Sequence, residues 1–135
     1  MNEFFANLYE LMIYVDPFSE DMLNESLYIP IGLCMLLIPM AVLAFYYYVV
    51  NSTRLNRWWH WLILVLIICL INFGISYGIS FNGIKNITYD GESPNGLNTY
   101  CFSLSLANFI WCFLVSFVWS LMIKWGSTSC RKTPF

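Results

Sequence analysis

The amino-acid sequence predicts an all-α integral membrane protein, with three transmembrane helices and an N-terminal amphipathic interfacial helix ahead of them. Three observations predict it. Three runs of 23, 24 and 23 residues in the 135-residue chain contain no Asp, Glu, Lys or Arg, and a helix of roughly 20 apolar residues crosses the hydrocarbon core of a bilayer. The composition is 59% hydrophobic, 19% aromatic and only 10% charged, where a soluble domain carries about 25% charged residues. Small domains bury only part of their surface, so these values exclude a soluble enzyme and a disordered tail. The basic residues, finally, alternate between successive connections as an odd number of spans requires. A formal net charge of −2 leaves no cationic patch for a phosphate backbone and excludes a nucleic-acid binder.

Residues 1–27 form an acidic segment with Glu3, Glu10, Asp16, Glu20, Asp21 and Glu25 and no Lys or Arg. Phe4, Leu8, Leu11, Met12 and Val15 recur at helical spacing, with Phe5 and Tyr9 alongside and Asn7 and Glu10 opposite. This pattern predicts an amphipathic helix in the membrane interface, ended by Asp16 and Pro17. It lacks the cations that attract anionic lipid, so both lipid and a partner protein are open as its docking surface. Ser19, ahead of Glu20 and Asp21, predicts the cap of a second short helix reaching about Glu25.

The first span is 28–50. Pro30 falls where its missing N–H costs little, whereas Pro39 removes the bond to the Met35 carbonyl and predicts a kink. A linker, 51–57, carries Arg54 and Arg57. The second span is 58–81, with His60 as its only ionisable side chain besides Cys69 and Tyr77. The connection 82–100 sets Lys85 against Asp90 and Glu92. Its turn signals at Asp90-Gly91 and Pro94-Asn95-Gly96 are compatible with a short hairpin using Ile84–Tyr89 as one arm. Asn86-Ile87-Thr88 matches a glycosylation acceptor pattern. The third span is 101–123, and the tail 124–135 carries Lys124, Arg131 and Lys132.

By the positive-inside rule the N-terminus lies outside and the C-terminus in the cytoplasm. The acidic leading segment has no small-residue cleavage site, which suits a retained segment and a bacterial inner (cytoplasmic) membrane. Trp58, Trp59, Trp61 and Trp125, with Arg54, Arg57 and Lys124, are the expected anchors at the cytoplasmic interface, since amphipathic rings prefer that depth. Tyr46, Tyr47 and Tyr48 fall beside them, and Tyr28, Tyr77, Tyr89 and Tyr100 fall near the outer interface.

Chemistry is sparse. Gly74-Ile75-Ser76-Tyr77-Gly78 spells G-x-S-x-G, a nucleophile elbow in hydrolases. Here it lies within a span, and the single histidine, His60, is 16 residues earlier, about 24 Å along a helix. Read as G-x-x-x-G, Gly74 and Gly78 instead allow close approach of another helix backbone, whether inside the bundle or from another subunit. Ser76 and Ser80 form a second small stripe on that helix, and Ser116 and Ser120 one on the third. Asn72 and Asn108 sit at depths that agree within roughly 3 Å, so a hydrogen bond between them or to a shared partner is expected to link spans two and three. Five cysteines (Cys34, Cys69, Cys101, Cys112 and Cys130) form no C-x-x-C or Cys/His cluster, so neither a metal site nor a cofactor is expected.

These features lead to a non-enzymatic small membrane protein. Its expected partners are the lipid bilayer and other membrane-protein subunits, with no small-molecule substrate. A structural or accessory subunit of a larger assembly, such as a bacterial envelope secretion or injection apparatus, accounts best for the absent acids and bases in the spans. In outline the chain also resembles the small holins of phages, with three spans, N-terminus outside and a short basic tail. That resemblance rests on topology alone. It implies the alternative of a channel-forming homo-oligomer that permeabilises the membrane.

Overall fold

A computed structural model of the chain describes residues 1–14, 18–50, 58–87 and 95–126. Five helices follow in order: α1 (Asn2–Glu10), α2 (Phe18–Asn24), α3 (Tyr28–Phe45), α4 (Trp58–Ile87) and α5 (Leu97–Gly126). No strand occurs among the described residues. Val15, Asp16, Pro17, Arg54, Arg57, Thr88, Tyr89, Asp90, Gly91, Glu92, Pro94, Cys130, Arg131 and Lys132 lie outside the described residues, as do the side chains of Lys124 and Trp125.

Three helices are long and apolar enough to cross a membrane, over Tyr28–Val49, Trp58–Asn86 and Leu97–Ile123. Between 28 and 33% of the residues in each span's most apolar window are buried inside the chain. The remaining apolar side chains face outward, Leu37, Ile67, Leu70 and Val118 among them, and hydrocarbon is the medium that leaves such surfaces at no cost. The spans form one bundle. Trp61 meets Ser120 at one end and Asn72 meets Asn108 further along, so α4 and α5 run antiparallel.

Both helices outrun the spans expected of them. α4 continues through Asn82–Ile87 and α5 begins at Leu97, so Ile84–Ile87 of the expected hairpin arm is the end of a helix, and Thr88 and Tyr89 lie outside the described residues. Tertiary packing explains the extension. Ile84 and Leu97 are fully buried, and a Cβ on Gly83 would contact the Leu27 side chain that follows α2. α3 runs without interruption through the buried Pro39 and passes into a π-helical turn at Tyr46–Val50.

The N-terminal segment differs most from its sequence pattern. α1 ends at Glu10, before Asp16 and Pro17, in a turn whose Tyr9 carbonyl accepts from both Met12 N–H and Ile13 N–H, at 3.0 Å each. Its packed stripe is Phe5, Ala6 and Tyr9, whereas Phe4 is 65% and Leu11 80% exposed. The helix is apolar on more than one side, so it docks through the side that fits the bundle and leaves the Phe4–Leu11 side facing outward. Ser19 is the second residue of α2, buried, 3.4 Å from the Tyr100 hydroxyl. At its C-terminus α2 closes where Ser26 takes φ 55° while Leu27 N–H bonds Met22 O and Ser26 N–H bonds Leu23 O. That is a Schellman closure with serine in the position usually held by glycine.

α1 rests directly on α3 at Gly32, where an added Cβ would collide with the Phe5 ring. An aromatic ring held in a buried slot cannot swing clear as a flexible chain end does. Gly32→Ala is therefore expected to cost about 1–3 kcal/mol through overpacking. Unfolding of the purified protein in mixed detergent, followed by circular dichroism, measures this directly.

Candidate functional site

Hydrocarbon offers no hydrogen bonds, so polar side chains in a span must find protein partners. In this bundle they gather on one seam. On α4 the buried positions are Trp61, Val65, Ile68, Cys69, Asn72, Ser76, Ser80 and Ile84, and on α5 they include Cys101, Ser105, Asn108, Cys112, Ser116 and Ser120. Most are small, which allows the two backbones to approach closely. Cys69 and Cys112 are fully buried free thiols within the seam.

Polar contacts cross the bundle at three levels. At the α1/α2 end, the Tyr28 and Tyr100 hydroxyls are 3.2 Å apart and Ser19 Oγ is 3.4 Å from Tyr100. At the opposite end, Trp61 Nε1 donates to Ser120 Oγ at 2.9 Å, and the Tyr47 hydroxyl lies 2.6 Å from the same oxygen. One serine thereby joins α3's terminal turn, α4 and α5. The middle level is Asn108, eight residues and about 12 Å past Tyr100 along α5. Its Oδ1 accepts from the Tyr9 hydroxyl at 2.7 Å, and its Nδ2 donates to the Asn72 carbonyl at 3.1 Å. Trp111 Nε1 also donates to Leu8 O at 3.2 Å.

Asn72 and Asn108 thus meet, through the Asn72 main chain and not amide to amide. The Asn72 side chain instead donates back to Ile68 O at 3.2 Å. Ser80, Ser105 and Ser116 each donate to the carbonyl one turn earlier on their own helix, at 2.7 Å. Ser76 breaks this pattern. The carbonyl one turn before it is that of Asn72, which already accepts from Asn108. Ser76 Oγ and Asn72 Oδ1 are consequently buried without a hydrogen-bond partner among the described residues.

Gly74 and Gly78 take no part in the seam. A Cβ on either would meet nothing within 4 Å among the described residues, so this glycine step packs against none of them. Trp61, expected as an interface anchor, is 4% exposed and donates to Ser120. Trp58 and Trp59 do stand at the surface, stacked with ring centroids 4.4 Å apart. Tyr28, Tyr47 and Tyr100 are buried rather than belted. Tyr9 and Tyr47 hold positions in the bundle that the sequence pattern did not assign to them. The signal for Tyr9 was present in the alternative stripe Asn2-Phe5-Ala6-Tyr9, spaced as one helical face.

No group of three or more His, Cys, Asp or Glu able to hold a metal ion occurs among the described residues. No protein-family model, no curated protein and no solved structure matches this chain.

The two kinds of serine separate by experiment. Ser120→Ala removes the hydrogen bonds that Trp61 Nε1 and the Tyr47 hydroxyl make to this oxygen and is expected to cost about 1–3 kcal/mol. Ser116→Ala removes only a bond within its own helix, so a cost of at most about 0.6 kcal/mol is expected. Parallel detergent-unfolding titrations of the two variants provide the comparison.

Proposed function

We propose that this chain is a non-enzymatic structural or accessory subunit of a larger membrane assembly, and that the Gly74–Gly78 face of α4 receives a helix of another subunit. The observation that carries the reading is the open space over both glycines. A helix-interior glycine costs roughly 0.5–1 kcal/mol relative to alanine, and no contact among the described residues offsets that cost. α5 already occupies the opposite, serine-lined side of α4. Close backbone approach by an external helix would use the glycine face as small-residue faces are used in lipid.

The remaining features support the same reading. The runs 28–50, 58–81 and 101–123 contain no Asp, Glu, Lys or Arg, the groups that proton- and ion-coupled pathways place in the membrane. Basic residues on one side and acidic ones on the other fit an N-terminus outside and a C-terminus in the cytoplasm. The assembly proposed is one of the bacterial inner membrane, of the secretion or injection type. The same open face would also receive a second copy of the chain, as the holin-like alternative requires.

Affinity capture of the full-length chain in mild detergent, with mass spectrometry of what accompanies it, tests the proposal. Wild type is expected to bring down other membrane proteins, and Gly78→Leu to lose them while keeping its own helicity and melting behaviour. Unchanged capture by Gly78→Leu would contradict the assignment of this face. Capture of the chain alone as a homo-oligomer, together with collapse of membrane potential on expression, would favour the pore-forming reading.

A further inference from the structure

The crevice between α3 and α5 is filled along only half its length. Near the α1/α2 end α1 lies in it. Phe5 sits on Gly32, the Tyr9 hydroxyl reaches Met35 Sδ at 3.5 Å and Asn108, and Leu8 O accepts from Trp111. Beyond Trp111 none of the described residues continues the filling. A cleft of about 310 Å³ continues, lined by residues that include Leu36, Trp111, Val115, Val118, Trp119 and Met122, with no polar lining surface. We propose that this cleft is a binding site for one acyl chain of an anionic phospholipid, drawn from the leaflet on the side of the Arg54 and Arg57 linker.

Three features commit the site to that occupant. The first is dimension. From Trp111 to Met122 α5 advances 11 residues, about 16 Å, and one leaflet contributes about half of the roughly 30 Å hydrocarbon core. A single extended acyl chain therefore matches the cleft from the bilayer midplane to the membrane surface. The second is chemistry. An entirely apolar lining offers nothing to orient a polar ligand, and lipid chains are the surrounding medium of the spans. The third is charge. Of the six Lys and Arg residues, Arg54 and Arg57 fall in the sequence between α3 and α4, and Lys124, Arg131 and Lys132 follow the third apolar run. Juxtamembrane basic residues attract anionic headgroups by about 1 kcal/mol each. A lipid here completes on one leaflet the wedge that α1 forms on the other.

The test uses the full-length chain in nanodiscs containing phosphatidylglycerol or phosphatidylcholine that carries a nitroxide near mid-chain. Wild type is expected to immobilise more phosphatidylglycerol than phosphatidylcholine. Val118→Trp, which fills the cleft, is expected to abolish the excess, and Leu36→Phe to reduce it from the facing helix. Leu106→Trp, on an exposed position of α5 outside the cleft lining, is expected to leave it intact. Circular dichroism on each variant identifies any that fails to fold, and the other cleft variant then decides. Equal immobilisation of the two lipids by wild type, or an excess that survives in a folded cleft-filled variant, would overturn the proposal. So would efficient dimer cross-linking through Val118→Cys, which would place a second copy in the cleft.

Discussion

A hydrogen-bonding group inside hydrocarbon has no solvent to fall back on, and the arrangement of this bundle follows from how that constraint is met at Asn108. Its amide has two ends, and each is used on a different element. The oxygen accepts from Tyr9 on α1, and the nitrogen donates to the Asn72 carbonyl on α4. A single residue of α5 therefore fixes the depth of the N-terminal helix and the register of the α4–α5 pair. Ser120 repeats the device at the other end with Tyr47 and Trp61. The tyrosine pair Tyr28–Tyr100 closes the end near α2.

Between these levels the seam is made of cysteines and serines whose hydroxyls mostly return to their own helix. Their contribution is smallness. Without a hydrophobic force between helices in lipid, close approach and dispersion hold such a pair together. This division separates the two small-residue faces of α4. The serine face is used up by α5, and the glycine face is left outside. The proposed attachment of another subunit rests on that separation and not on the glycine spacing alone.

Much of the fold was legible in the sequence because composition alone decides where the chain can cross a membrane. Uncharged runs of adequate length permit only spanning helices, so the three spans stand out residue by residue. Helix ends were less legible. Asn82–Ile87 and Leu97–Tyr100 are helical segments whose Ile84 and Leu97 are fully buried, which no local signal announces. The docking side of α1 was obscured because Phe4, Leu8 and Leu11 form as regular a stripe as Asn2, Phe5, Ala6 and Tyr9, and only the shape of the α3–α5 crevice chooses between them. Trp61, Tyr47 and Tyr100 were ambiguous for a related reason. A ring with a polar tip suits the membrane interface and a buried hydrogen bond equally well. The depth match of Asn72 and Asn108 was readable from counting, whereas the third participant, Tyr9, lies 99 positions from Asn108.

If Asn108 holds α1 in the bundle, the amides of α1 must share the protection of the spans. Hydrogen–deuterium exchange of the full chain in lipid nanodiscs measures this. Slow exchange of the amides from Phe5 to Glu10 is predicted for wild type, with selective release of that stretch in Asn108→Leu while the spans stay protected. Rapid exchange of α1 in wild type, or protection indifferent to the loss of the Asn108 amide, would contradict it.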